Sequence, residues 1–494
     1  MINFMISIIP FAILIITIII LCINIIIKRN IFISCLITVM GLITTILSSI
    51  YLQFYTNIQL LHNNLFLYNN FYCFYAIILM IISVITCLIV FSWLKNLPYN
   101  KDEFYLLILI ISLGGMINSY ANNFIVFLIG FELISIPFVG LIIYNICYKK
   151  SLEASIKYLI LSSITSAFLI FGIALIYIDC GTLNFIYIKY YILYKLNTQN
   201  IHLYIIGLSF ILFSLGFKLS LVPFHLWTPD IYEGSPSLIS MFLSTFSKST
   251  FLICLYKLLI LFHLTKINKF IISNILLSIS ILSIIFGNLM AMKQNNIKRL
   301  LGYASIAHIG YMLIIFIYHI KYPQNTFLTL TALSIYVISY ILNNIGVFSI
   351  IYLHSYPNNI NDQDCLYNYR GLFWYKPLYT FVLTIMLLSL AGLPITIGFI
   401  AKFYIILLGL YIKLWYLVIF LILGSVISLY YYLRIIITLY LKPSTLYVIN
   451  YNIQQNNIFY INIILILITI CTLLFGIYPT CIIHIVYKIL DFNI

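Results

Sequence analysis

The sequence predicts an all-α polytopic membrane protein of about 14 transmembrane helices, and three observations carry that prediction. Of 494 residues, 64% are hydrophobic and only 7% are charged, against about 25% charged in a soluble domain. Mean hydropathy is +1.14, so the chain cannot clothe a water-facing surface. The apolar runs are continuous rather than alternating, which excludes a transmembrane β-barrel. A soluble enzyme, a coiled coil, collagen and a disordered chain are excluded by the same composition.

Polar punctuation divides the apolar residues, in order, into runs at 6–27, 31–52, 71–94, 103–119, 122–147, 155–178, 201–224, 236–260, 268–291, 299–320, 326–353, 376–409, 414–440 and 459–488. Fourteen spans of about 20 residues need roughly 280 positions, leaving only short loops. Two runs contain breaks. Pro223 interrupts the seventh, in Gly216-Phe-Lys-Leu-Ser-Leu-Val-Pro-Phe-His225, and Gly392-Leu-Pro394 interrupts the twelfth. A proline frees the carbonyl four residues back, and in lipid that carbonyl needs water or a side chain. Discontinuous helices in corresponding halves of a transporter mark its ion path.

An even number of spans puts both termini on one side. That side carries Lys189, Lys195, Lys257, Lys266, Lys269, Lys321, Lys413 and Lys488. The other carries Lys28, Arg29, Lys95, Lys101, Lys149, Lys150, Lys293, Lys298, Arg299, Arg370, Lys376, Arg434 and Lys442. The richer face is predicted to lie in the negative compartment, with the termini facing outward. The excess of 25 Lys+Arg over 10 Asp+Glu is therefore read as loop retention, and nucleic acid is not an expected partner. Ten cysteines scatter without a C-x-x-C, so neither a disulfide framework nor a thiolate metal site is expected. Met1-Ile-Asn-Phe-Met runs straight into apolar residues, and no cleavable targeting signal is expected. The 43 Tyr and 37 Phe, with much Ile and Asn, use A/T-rich codons and point to an organellar genome.

Four lysines fall inside apolar runs, Lys157, Lys218, Lys248 and Lys402, together with Glu132. Each lysine at mid-membrane costs ~2.5–3.5 kcal/mol unless paired or hydrated. Snorkelling is the ordinary alternative near a span end, and it weighs most for Lys157, seven residues beyond Lys150. A buried lysine is also a tunable proton carrier, because desolvation lowers its pKa and a nearby carboxylate raises it. A swing of about three units is ~4 kcal/mol, the scale of one proton crossing an energised membrane. The set reads as a proton relay rather than a substrate pocket. His308, among small residues in Ala304-Ser-Ile-Ala-His-Ile-Gly310, is a further relay candidate, although a lone histidine is as often a packing residue. His225 sits at a helix end within expected reach of Asp230 and Glu233. No G-x-G-x-x-G, P-loop, cysteine cluster or haem-spaced histidine pair occurs, so no redox centre is expected in this chain.

These motifs resemble a known family. Gly130-Phe-Glu-Leu-Ile-Ser-Ile-Pro137, Ser151-Leu-Glu-Ala-Ser-Ile-Lys-Tyr158, Lys218-Leu-Ser-Leu-Val-Pro-Phe-His-Leu-Trp-Thr-Pro-Asp-Ile-Tyr-Glu-Gly-Ser-Pro236 and Phe246-Ser-Lys248 are similar to the antiporter-like membrane subunits of respiratory complex I. So are Asn296-Ile-Lys-Arg-Leu-Leu-Gly-Tyr-Ala-Ser-Ile-Ala-His308, Ser389-Leu-Ala-Gly-Leu-Pro394, Gly398-Phe-Ile-Ala-Lys402 and Ser428-Leu-Tyr-Tyr-Tyr-Leu-Arg434. Tyr232-Glu-Gly-Ser-Pro236 and a lysine at Lys402 resemble the subunit 2 type, of a mitochondrial kind. The likeness covers about residues 100–440.

The resemblance implies two inverted five-helix repeats, spans 4–8 and 9–13, with helices 7 and 12 discontinuous. Residues 1–100 would hold helices 1–3, 101–262 the first repeat, 263–442 the second and 443–494 the last helix. Glu132 and Lys157 would form a coupling pair, Lys218 would be the central pumping lysine, and Lys248, His308 and Lys402 the relay. NADH, FMN, iron–sulfur clusters and ubiquinone would belong to other subunits, with no cofactor in this chain. Partners would be other membrane-arm subunits, antiporter-like ones among them, and membrane lipids, with cardiolipin a candidate. The expected location is the mitochondrial inner membrane, termini towards the intermembrane space. Ile395 and Leu238 stand where the family commonly has prolines, so milder helix breaks are expected. Residues 53–70, 186–200, 356–370 and 443–458 match poorly and receive no role. Two alternatives remain open: a subunit of a multisubunit cation/proton antiporter, and the plastid counterpart.

Overall fold

A computed structural model of the chain describes residues 2–55, 65–97, 99–145, 148–195, 202–261, 266–355, 362–443 and 459–491. The first helices are α1 (Ile2–Ile27), α2 (Ile31–Tyr55), α3 (Asn70–Asn96), α4 (Glu103–Tyr120), α5 (Phe124–Ile142) and α6 (Lys149–Cys180). Then follow α7 (Phe185–Lys195), α8 (His202–Lys218), α9 (Trp227–Gly234), α10 (Ser237–Phe242) and, after a π-turn over Leu243–Ser247, α11 (Lys248–Leu261). The second half runs through α12 (Lys266–Met292), α13 (Ile297–Lys321), α14 (Thr326–Ser355), α15 (Leu372–Tyr375), α16 (Pro377–Ala391), α17 (Ile397–Tyr411) and α18 (Trp415–Tyr440). The chain closes with α19 (Phe459–Ile477) and α20 (Pro479–Asp491).

Among the described residues, 12 helices are long and apolar enough to cross a membrane. The two remaining predicted spans are the interrupted ones: α8 with α9, and α16 with α17. Each is the fourth span of its five-helix set, spans 4–8 and 9–13, as inverted repeats require. The protein is therefore a multi-pass membrane protein of the predicted all-α class.

Burial sorts the helices into a ring and a centre. The apolar windows of α10–α11 and α13 are wholly enclosed by other helices, and α14 nearly so. By contrast α1, α2, α6, α12 and α19 bury about a third of theirs and turn Ile, Leu and Phe outward. In lipid there is no hydrophobic drive between helices, so close packing rests on small residues. A Cβ at Gly172 would meet the Gly207 carbonyl oxygen at 2.7 Å, and one at Gly207 would meet that of Gly172 at 2.8 Å, so α6 and α8 touch backbone to backbone.

Several boundaries differ from expectation. The run 459–488 is two helices, because Pro479 cannot continue α19 and instead opens α20. Helix α7 follows the αL cap of Gly181 and buries Phe185, Ile188 and Ile192 while exposing Tyr187 and Tyr190. At 11 residues it is too short to register as a span. Helix α6 begins at Lys149 rather than 155 and has 32 residues, about 48 Å at 1.5 Å each. That exceeds a ~30 Å hydrocarbon core, so one end projects beyond it. Nor is the second break mild. Five residues separate α16 from α17, with Gly392 at φ +86° and Ile395 at φ +81°, a conformation no proline could adopt.

Candidate functional site

The first break builds one half of the site. Helix α8 ends at Lys218, and Ser220 turns the chain at φ +58°. The carbonyls this frees are taken locally: Trp227 Nε1 donates to the Phe217 oxygen at 3.0 Å, and the Leu221 N–H to the Gly216 oxygen at 2.8 Å. Lys218 is 1% exposed. Its Nζ has no hydrogen-bond partner within the described residues and lies 5.0 Å from the Phe131 ring centroid and 5.2 Å from that of Tyr158. The carboxylate whose charge reaches it is Glu132, half-buried on α5 and accepting from Ser135 Oγ at 3.0 Å.

The break also serves the next lysine. Lys248 follows the π-turn, a feature frequent at functional sites, and is fully buried. Its Nζ donates to Ser220 Oγ at 3.0 Å and to Ser305 Oγ at 2.6 Å. Ser220 thus joins the unwound stretch beside Lys218 to Lys248, and Ser305 joins Lys248 to α13. Tyr232 and Tyr340 both approach Ser305.

One turn along α13, His308 Nδ1 lies 2.9 Å from Tyr336 Oη, with the Tyr311 and Tyr340 rings each 5.8 Å away, centroid to centroid. The charges that act on it are Lys402 and Lys248. The second break mirrors the first. Gly392 caps α16 in the left-handed region, and Lys402 Nζ donates to the Ala391 oxygen this leaves open, at 2.7 Å. A cavity of about 10 Å³ is lined by His308, Tyr336, Ser339, Tyr340, Asn343, Ser389, Gly398 and Lys402, close to the space one water needs. From Lys402 the polar line continues over the Tyr311 ring, 5.6 Å away. It then passes through Asn288 Nδ2 on Tyr311 Oη at 3.1 Å, and through Tyr431 Oη on Asn288 Oδ1 at 3.2 Å. The line therefore runs from half-buried Glu132 past Lys218, Lys248, His308 and Lys402 to Asn288 and, on α18, Tyr431.

Two sequence expectations are corrected. Lys157 is not an intramembrane partner of Glu132. Its side chain is 41% exposed and pairs with Glu153 at 2.7 Å and Asp230 at 2.9 Å. The line of buried groups therefore omits it. His225 does not engage Asp230 or Glu233. It lies against Phe286 and the Pro223 backbone, while those acids hold Lys157, Lys150 and Arg299.

Two lysines that the sequence places at loops, Lys257 and Lys298, are buried. Lys257 is 4% exposed and donates to the Asn118 and Ala121 oxygens at 3.0 and 3.1 Å, capping the C-terminus of α4. Its place before the end of the run 236–260 was the available signal. Lys298, 2% exposed, pairs with Asp362 at 2.6 Å and Asp364 at 3.2 Å and donates to the Ser235 oxygen at 3.0 Å. Asp362 also accepts from the Ser237 N–H at 2.6 Å. Both acids come from the segment 356–370, to which the sequence assigned no role; residues 356–361 lie outside the described residues. Burial pushes the Asp364 carboxyl up to about 6, against the pull of Lys298. Among the described residues, no three His, Cys, Asp or Glu converge as metal ligands would.

Residues 121–428 match the family model described as NADH:quinone oxidoreductase/Mrp antiporter, transmembrane. Three solved structures share the fold. A chain of respiratory complex I from Thermus thermophilus with bound aureothin is 24% identical with a TM-score of 0.78, over 96% of this chain and 98% of that one. A chain of the membrane-bound sulfane sulfur reductase, an archaeal respiratory membrane complex, is 22% identical with a TM-score of 0.84, over 99% and 97%. A chain of the Mrp complex from Dietzia sp. is 14% identical with a TM-score of 0.80, over 98% and 97%.

Proposed function

The chain belongs to the NADH:quinone oxidoreductase/Mrp antiporter transmembrane family, and we propose that within it the chain is a proton-translocating membrane-arm subunit of NADH:ubiquinone oxidoreductase, of the subunit 2 type. One observation carries the reading: both helix breaks deliver a lysine to the same buried line, Lys218 and Lys248 at the first and Lys402 at the second, with His308 between. The cavity on that line, beside His308 and Lys402, is about the size of one water, which suits proton passage rather than a larger substrate. The groups of the line can each hold or release a proton, and the neutral or charged state of one alters the field at the next. Glu132 would set the charge on Lys218, Ser220 and Ser305 would orient Lys248, and His308 with a bound water would connect Lys248 to Lys402. Redox chemistry would occur on NADH, FMN, iron–sulfur clusters and ubiquinone held by other subunits. The repeats would span 101–262 and 263–442, and the location would be the mitochondrial inner membrane, organelle-encoded, with termini facing the intermembrane space.

The Mrp-type likeness keeps a second reading alive, cation/proton exchange without electron transfer. Purification from native membranes followed by reconstitution separates them. NADH-driven acidification of vesicles that is lost in Lys248→Met supports the first. Sodium-driven proton exchange in the absence of NADH replaces it with the second.

A further inference from the structure

The ends of four helices gather around a basic cavity that shares no lining residue with the lysine line. The α1–α2 turn, the start of α2, the end of α3 and the approach to α4 surround an open cavity of about 570 Å³. Arg29, Lys95 and Lys101 line it, and Asp102 is the one acid among the lining residues. Asp102 is buried and accepts from Ser34 Oγ at 2.7 Å, so among the lining residues three cations face one acid that is turned inward. Lys101 Nζ donates to the Lys95 carbonyl at 2.9 Å, which ties two of the cations to one rim. Arg29 reaches Glu103 only at 3.5 Å and is 64% exposed, a pair of little worth in water.

The wall is as distinctive as the charge. Lys95 Nζ lies 4.3 Å from the Phe91 ring centroid, Phe91 meets Phe32 edge-on at 6.3 Å, and Phe32 is 62% exposed. Cations at the rim above an aromatic wall occur here at the ends of apolar helices, and α2 and α4 begin here with their positive dipole ends. Neither a small anion nor a neutral lipid uses both features. Basic pockets between transmembrane helices on the negative side suit anionic headgroups.

We propose that this cavity binds one anionic phospholipid, with its phosphate among Arg29, Lys95 and Lys101 and an acyl chain along Phe91 and Phe32. The site stands apart from Lys218, Lys248 and Lys402, so its test does not depend on proton translocation. The complex is purified from native membranes, delipidated, and titrated with phosphatidylglycerol, phosphatidylcholine or inorganic phosphate while bound lipid is counted by native mass spectrometry. The expected result is one phosphatidylglycerol bound selectively. Its affinity should fall about tenfold or more in Arg29→Gln/Lys95→Gln/Lys101→Gln and about threefold in Lys95→Gln, with no change in Lys293→Gln. If the triple variant does not assemble, Lys95→Gln decides, and unchanged affinity there overturns the site. Equal binding of phosphatidylcholine would reduce it to an apolar groove. Displacement by inorganic phosphate at the lipid's own concentration would make it a free-anion site. A photocrosslinker at Tyr99 that captures a partner polypeptide instead of lipid would make it a subunit interface.

Discussion

A lysine enclosed by aromatic rings, with one carboxylate acting on it, is placed to take up and release a proton. Lys218 is in that position. Lys218→Met should leave assembly intact and abolish most proton translocation. Lys218→Arg should assemble yet remain slow, because a guanidinium does not release its proton. Vesicle acidification by the purified complex checks both, and normal pumping in the Met variant would remove Lys218 from the line. The same logic separates two glutamates. Glu132→Gln should cut turnover severalfold, whereas Glu153→Gln should change it little, since Glu153 is 65% exposed and such a pair contributes ~0–1 kcal/mol. Equal sensitivity would mean that position relative to Lys218 is not what matters.

At the scale of elements, the helix breaks hold the functional geometry and carry strain of their own. Ile395, β-branched and 64% exposed, adopts φ +81°, where an L-residue costs ~1–2 kcal/mol. Ile395→Gly should therefore raise the thermal midpoint by a few degrees without touching activity, measured on the purified complex; a lower midpoint would show that the side chain is needed for packing. Gly398→Ala should do the reverse. A Cβ there would fall inside the Ser389 carbonyl, and the Gly398 N–H donates to Ser389 Oγ at 3.2 Å. The two halves of the interrupted span would part, at an overpacking cost of ~1–3 kcal/mol, and Lys402 would shift with them.

In the whole molecule, the ion pairs on the face where α13 begins connect the halves. Arg299 on α13 bridges Asp230 and Glu233 on α9, and Lys298 holds Asp362, Asp364 and the Ser235 carbonyl. Removing Lys298 would leave two largely enclosed acids without their cation, so Lys298→Met should cost up to ~3 kcal/mol and lower the yield of assembled complex. Asp364 gives the cluster a pH signature. Its folded carboxyl sits near 6, above the ordinary 3.8, so the folded state binds the proton more tightly. The stability this contributes is present below the lower value and is lost as pH rises through about 6, at most ~3 kcal/mol. Thermal unfolding between pH 4 and 7 should show wild type losing ground to Asp364→Asn over that window, and parallel curves would refute it.

Composition and continuous apolar runs determined the class, the span order and both interruptions, because a membrane leaves the backbone few solutions and makes each internal lysine conspicuous. Lys218, Lys248, His308 and Lys402 were legible for that reason. Distance along a run does not reveal where the water begins, however. Lys157 and Lys257 exchanged places on that account, the first part-exposed and paired with Glu153 and Asp230, the second folded inward onto the carbonyls of α4. The partners were beyond reach for another reason. Ser220, Ser305, Tyr336 and Asn288 are ordinary residues in the sequence, and Asp362 lies 64 positions from Lys298. Only the packing of α10, α11, α13 and α14 decides which hydroxyl meets which ammonium, since hydrogen bonds act over about 3 Å whereas hydropathy acts over a whole span.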